Sequence, residues 1–159
     1  MTEAAMLPRG HRGYIASRPI DGARVPQHLQ NLVVREHARR HGLRFLLSAT
    51  EYAMPDCYMM LEEVLEELPR LDGIVCYSLF MLPRNPERRR AVLSRVLDSG
   101  RELHAAAEDL VLRTPSEAEA LDDILKLADL TSTEALAETR RGLCAPINRD
   151  IIEDGTRFA

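Results

Sequence analysis

The 159-residue sequence predicts an α/β fold, a three-layer and mainly parallel sheet of four to five strands with helices on both faces. Three observations carry that expectation. Strand-like runs alternate with stretches of helical periodicity along the chain, and glycine and proline mark the junctions between them. The run at 73–79 (GIVCYSL) is nearly continuously apolar, as a central strand covered on both faces must be. Strands separated by crossover helices pair in parallel, which fixes the class.

Residues 12–17 (RGYIAS) read as the first strand, followed by a polar loop over 18–25. Pro26 suits a first helical turn, where a missing N–H costs nothing. The helix 27–41 is expected to turn Leu29, Leu32, Val33 and Ala38 inward and Arg35, Glu36, Arg39 and Arg40 outward, with Gly42 as its left-handed terminator. A second strand follows at 43–48, then a loop at 49–56 and a helix at 57–68 with Met60, Leu61, Val64, Leu65 and Leu68 inward. Beyond the third strand, a loop with Pro83 and Pro86 leads to a helix at 87–98 closed by Gly100, and a fourth strand spans 101–107. Thr114-Pro115-Ser116-Glu117 starts a helix over 116–129, amphipathic through Ala120, Leu121, Ile124, Leu125 and Ala128. Thr131 or Ser132 caps a last short helix. The tail 146–159 is expected to be loosely attached, with Ile147, Ile151, Ile152 and Phe158 available for docking. The expected division is an N-terminal extension at 1–11, one domain at 12–130, and a short helix with its tail at 131–159.

A composition of 45% apolar and 29% charged residues excludes disordered and fibrous classes. No apolar run approaches the roughly 20 residues that cross a bilayer, and the first residues hold no secretory signal, so no membrane role is expected. Cys57, Cys76 and Cys144 are too widely spaced for a disulfide framework or a zinc ribbon, which points to a reducing, cytoplasmic setting. A net charge of −4 and 4% aromatics without Trp argue against nucleic acid as a partner. The basic residues are mostly Arg, with Lys126 the lone lysine. Genomic base composition accounts for much of that excess. Arg18 and Arg24 stand apart because a planar guanidinium near a ligand-binding edge suits phosphate or carboxylate.

In a sheet of this kind ligands bind beyond the carboxyl ends of the strands, which brings the loops 17–26, 48–57, 78–86 and 104–115 together. In the first loop, Ser17, Arg18, Arg24, Gln27 and the amides of the helix start form a candidate anion site. The alternative is a solvated loop whose arginines pair with Asp21 or Glu51. In the second, Glu51 is the best general-base candidate, or else it pairs with an arginine and organises the loop. Tyr52, Tyr58 or His28 would supply the acid. Cys57 at a helix start is a possible nucleophile or a plain thiol, and Tyr77 lies near a strand end as a substrate contact. His104, near Glu108, reads as a structural hydrogen bonder. His37 and His41 have the i, i+4 spacing of a metal pair but no HExxH pattern, and read as a solvated surface pair. No metal is expected. The chain holds neither a Walker motif nor GxGxxG, so no cofactor is expected either.

The stretches SRPIDGARVPQHLQNLVVR (17–35), LSATEYAMPDCYMMLEEVLEEL (47–68) and DGIVCYSLFMLP (72–83) resemble the sporadic carbohydrate cluster protein family over about residues 12–130. The resemblance implies work on a sugar or sugar-like metabolite. More distantly, the element order resembles the catalytic domain of serine recombinases, the resolvases and invertases, which implies a resolvase-like sheet and a homodimer. The recombinase opening G-Y-x-R-x-S aligns with Gly13-Tyr14-Ile15-Ala16-Ser17-Arg18, placing Ala16 where the Arg belongs and Arg18 where the nucleophilic Ser belongs. The later L-D-R-L-x-R pattern falls on Leu79 to Arg84 and keeps only its final Arg.

The leading expectation is therefore a small carbohydrate or secondary-metabolite enzyme working by proton transfer on an anionic small molecule, as an isomerase, epimerase or lyase. It would act as a homodimer or with a pathway enzyme. The rival expectation is a non-catalytic protein that binds a metabolite or partner and derives from a recombinase-like fold.

Overall fold

The computed structural model describes residues 9–132. The expected alternation runs β1 (His11–Ala16), α1 (Gln27–Arg40), β2 (Phe45–Glu51), α2 (Met59–Glu67), β3 (Gly73–Cys76), α3 (Pro86–Asp98), β4 (Glu102–Ala105), β5 (Leu110–Leu112) and α4 (Pro115–Leu130). One sheet takes the order β2-β1-β3-β4-β5. The first four strands are parallel and joined by α1, α2 and α3; β5 folds back antiparallel on β4. The expected loop 104–115 therefore contains a hairpin strand. Contacts divide the chain after Lys126. From Leu127 onward the description covers the end of α4 and a turn in which the Thr131 hydroxyl donates to the Leu127 carbonyl. The expected last helix and docking tail lie outside the described residues. Among those residues, no helix is long and apolar enough to cross a membrane.

Strand alternation sorts the core into two layers. Tyr14, Ala16, Ala49, Ile74, Cys76, Leu103, Ala105 and Leu112 face α2, α3 and α4, where Leu61, Val64, Val92, Val96, Leu121 and Leu125 cover them. The opposite face is thinner, with Ile15, Val75 and Ala106 packed by Val34 of α1.

The helix α1 lies in a different phase from the one its apolar residues predict. Gln30, Val34, His37 and Ala38 are buried, while Leu29, Leu32 and Val33 are exposed. The cause is hydrogen bonding. β1 continues past the end of β3, whose last partner pair is Tyr14 with Cys76, so Ala16 has no strand on that side. The Gln30 side-chain amide takes that place, accepting from the Ala16 N–H at 3.0 Å and donating to its carbonyl at 2.8 Å. A buried amide with both partners present costs little, and its place sets the rotation of the helix.

Strand ends differ as well. β2 runs three residues beyond the expected 43–48, so Glu51 closes a strand instead of sitting in a loop. β3 stops at Cys76, and residues 79–81 form a short 3₁₀ turn capped by Ser78.

Candidate functional site

The carboxyl edge brings together most of the predicted residues, but not in the predicted roles. Glu51 is fully buried and faces the start of α2. Its Oε2 accepts from the Tyr14 hydroxyl at 2.9 Å and the Leu61 N–H at 3.1 Å. Its Oε1 accepts from the N–H groups of Tyr52 at 3.1 Å and Met60 at 3.2 Å, and from the Cys57 thiol at 3.8 Å. The helix α2 has no side-chain cap of its own at Tyr58. Glu51 fills that place from the neighbouring strand, and the helix dipole favours its charge there. Both carboxylate oxygens are occupied by protein donors, an arrangement that favours the expected alternative of a group that organises the loop, here without an arginine partner. Burial and the adjacent Glu51 push the Tyr14 phenol far above its usual range.

Arg18 also turns inward. It donates to the carbonyls of Cys57 at 2.5 Å and Met54 at 3.4 Å, and its guanidinium stacks over the buried Tyr58 ring at 4.6 Å. Arg88 of α3 lies over the same ring at 5.0 Å. Two cations thus lie over the Tyr58 ring, which is buried and does not stand in the open. Ser17 accepts from the Gln27 side chain at 2.9 Å. Arg24, Gln27, His28 and Tyr52 are exposed at the edge. Tyr77 is half-buried and extends the sheet through its backbone, donating to the Tyr14 carbonyl at 3.0 Å. Glu108 serves the 3₁₀ turn, accepting from the Ser78 hydroxyl at 2.6 Å and the Leu79 N–H at 2.9 Å. It is not a partner of His104.

A second cluster, on the α1 face, escaped sequence reasoning. His37 is buried, not solvated. Its Nε2 lies 2.9 Å from Nδ1 of the buried His104. His104 Nε2 lies 2.9 Å from Glu102 Oε1, which His11 Nε2 shares at 2.8 Å. Arg113 donates to the other Glu102 oxygen at 2.7 Å. Burial raises Glu102, but the bonds from Arg113, His104 and His11 outweigh it and hold the carboxyl at about 2. Burial, reinforced by His41 and His104, lowers His37 to about 4. The sequence signal was present in His11 at the head of β1 and His104 within β4, but its meaning required the strand order.

These shifts predict acid lability. His37 has an ordinary value of 6.5 and titrates at about 4 in the fold, so between those pH values the unfolded chain holds the extra proton. Stability is complete above the upper value and falls as pH drops through the window, by on the order of 3 kcal/mol at its acid end. Asp109 opposes the shift, while His41, His104 and Arg40 support it. Glu102 acts in the same sense at lower pH, since its depressed value stabilises the fold only while it is ionised. Thermal unfolding in chelator-containing buffer should show Tm declining from about pH 6.5 downward; a flat profile to about pH 4.5 would refute the buried neutral His37.

No family model matches the sequence, and no curated protein matches it. Solved structures do match. The N-terminal catalytic domain of TP901-1 integrase aligns with a TM-score of 0.51 at 18% identity, over 83% of this chain and 98% of that one. A resolvase family site-specific recombinase from Streptococcus pneumoniae aligns with a TM-score of 0.51 at 12% identity, over 84% of this chain and 95% of that one. The resolvase-like fold is therefore shown, and the carbohydrate-cluster resemblance gains no support. The expectation of a carbohydrate enzyme working by proton transfer is corrected: the matching structures are recombinase domains, and the expected base is occupied within the fold. The exclusion of nucleic acid is corrected with it, because a net charge of −4 does not rule out that partner for a chain with this fold.

Proposed function

We propose that the chain is a non-catalytic binding protein built on a recombinase-type catalytic-domain fold, with the carboxyl edge around the first loop as its binding surface. One observation carries the reading. Arg18 occupies the position at which the recombinase resemblance puts the nucleophile, and it is tied to the Met54 and Cys57 carbonyls. Ala16 replaces the expected arginine, and the neighbouring Ser17 hydroxyl meets Gln27, an amide that is no base. Nucleophilic catalysis needs a nucleophile with a base in reach; the Ser17 hydroxyl has none, and the Cys57 thiol meets only a Glu51 carboxylate already occupied by Tyr14 and backbone donors. Arg24, Gln27, His28 and Tyr52 supply exposed polar groups for a partner carrying an anionic group, nucleic acid included. A reducing, cytoplasmic setting belongs to this reading and is supported by the free thiols Cys57 and Cys76.

Incubation with supercoiled and linear duplex DNA tests it directly. The expected result is no plasmid relaxation and no covalent protein–DNA adduct after denaturation, for the wild type and for Ser17→Ala alike. An adduct that disappears in Ser17→Ala would overturn the reading and restore a shifted recombinase nucleophile.

A further inference from the structure

Apart from the first two loops, the C-terminal end of α1 meets the β4–β5 turn, and three donor atoms converge there. Asp109 Oδ1 lies 3.5 Å from His37 Nδ1 and 3.0 Å from His41 Nε2, and the three atoms lie within 4.8 Å of one another. We propose that His37, His41 and Asp109 form a binding site for a divalent transition metal of the zinc class.

The placement of protons leads to this site. Glu102, paired with Arg113, is a carboxylate that accepts and does not donate. His11 and His104 must therefore each carry a proton on the Nε2 that meets Glu102 Oε1. A proton on His104 Nε2 leaves its Nδ1 as a lone pair. That lone pair meets His37 Nε2 at 2.9 Å, so His37 carries its proton there. His37 Nδ1 is then a bare lone pair, buried, without a hydrogen-bond partner, and facing a carboxylate oxygen. Two acceptors confront each other, and a cation between them resolves the conflict.

The geometry suits such an ion. Bonds of about 2.0–2.1 Å from one zinc to nitrogen and oxygen ligands place the donors somewhat over 3 Å apart, and Asp109 Oδ1 lies 3.5 and 3.0 Å from the two imidazole nitrogens. Two imidazoles at i, i+4, one in the last turn of α1 and one at its C-cap, with a carboxylate from a facing turn, suit a borderline metal. The other triad, His11, Glu102 and His104, is already closed by protons at hydrogen-bond distance and serves as the outer shell. It holds the ring nitrogen of His37 that does not ligate, in a relay that ends on a carboxylate. Arg40 lies 3.7 Å from Asp109 Oδ1, and both are exposed. Such a pair is weak, and the long side chain can swing away. Three protein ligands leave a fourth position for water or an added ligand. A groove of about 320 Å³ opens beside His37 between Leu32, Val33 and Ala106.

The test uses the untagged full chain, stripped with chelator and then titrated with Zn²⁺ by calorimetry and with Co²⁺ by visible absorption. One ion per chain is expected, with a cobalt spectrum of low coordination number that zinc removes. His41→Gln and Asp109→Asn should each weaken binding by at least about tenfold while the metal-free fold is retained. Asn tolerates the left-handed backbone found at Asp109 (φ 49–54° is shared by Asp21, Asp56 and Asp109). Glu63→Gln, exposed on α2 at the opposite face of the sheet, should leave binding unchanged. A wild type that takes up neither ion, or uptake that persists in both His41→Gln and Asp109→Asn, would overturn the site.

Discussion

Glu51→Ala is expected to destabilise the fold by about 4 kcal/mol, which for a chain of this size lowers Tm by roughly 10 °C. The substitution strands the Tyr14 hydroxyl and the N–H groups of Tyr52, Met60 and Leu61. Each buried donor left without an acceptor costs about 1–3 kcal/mol, reduced where water can enter beside the exposed Tyr52. Glu51→Gln separates charge from shape. Its amide oxygen still accepts, but its NH₂ group meets N–H or O–H donors on the other side, and the charge at the start of α2 is lost. A smaller drop of about 2 kcal/mol is expected. Thermal unfolding followed by circular dichroism measures both. An unchanged Tm in Glu51→Gln would show that the carboxylate is not a structural acceptor and would reopen it as a chemical group.

The same residue shows where sequence reading stops. Glu51 follows a run of strand formers, and its charge suggested a loop beyond the strand end. The fold buries it because five hydrogen-bond donors from three separate segments converge on it, and no local pattern records that convergence. Gln30 and His37 teach the same lesson on α1. Apolar periodicity assigned the inward face to Leu29, Leu32 and Val33, yet two polar side chains, Gln30 bonded to the end of β1 and His37 bonded to His104, hold that face. Periodicity counts apolar residues and cannot see the strand end that Gln30 completes. What was legible is the part that depends on local chemistry. The alternation of elements, the Pro26 and Gly42 boundaries of α1 and the apolar run of β3 all followed from neighbouring residues. The imidazole cluster was not, since His11, Gly73 and Glu102 become neighbours only through the sheet order.

Gly73→Ala should be the other large effect, about 3 kcal/mol or more. His11, Gly73 and Glu102 stand level on three adjacent strands, with β3 between β1 and β4. Neighbouring strands lie about 4.8 Å apart, so His11 and Glu102 are separated by two such steps. They still meet at 2.8 Å, because both side chains lean over a residue that has none. A Cβ at position 73 would stand 2.9 Å from Glu102 Cγ and 3.0 Å from His11 Cδ2, and closer still to the Glu102 carbonyl oxygen. The side-chain contacts can yield, but the carbonyl belongs to the β3–β4 pairing and cannot move without opening the sheet. This separates two accounts of the glycine. If it served only to let the imidazole meet the carboxylate, adding Glu102→Ala to Gly73→Ala would recover the loss relative to Glu102→Ala alone. With the backbone clash dominant, the double variant should stay destabilised by nearly the full amount in denaturant unfolding. Full recovery would show that the carbonyl contact is relaxed at little cost and that the glycine exists for the His11–Glu102 bridge.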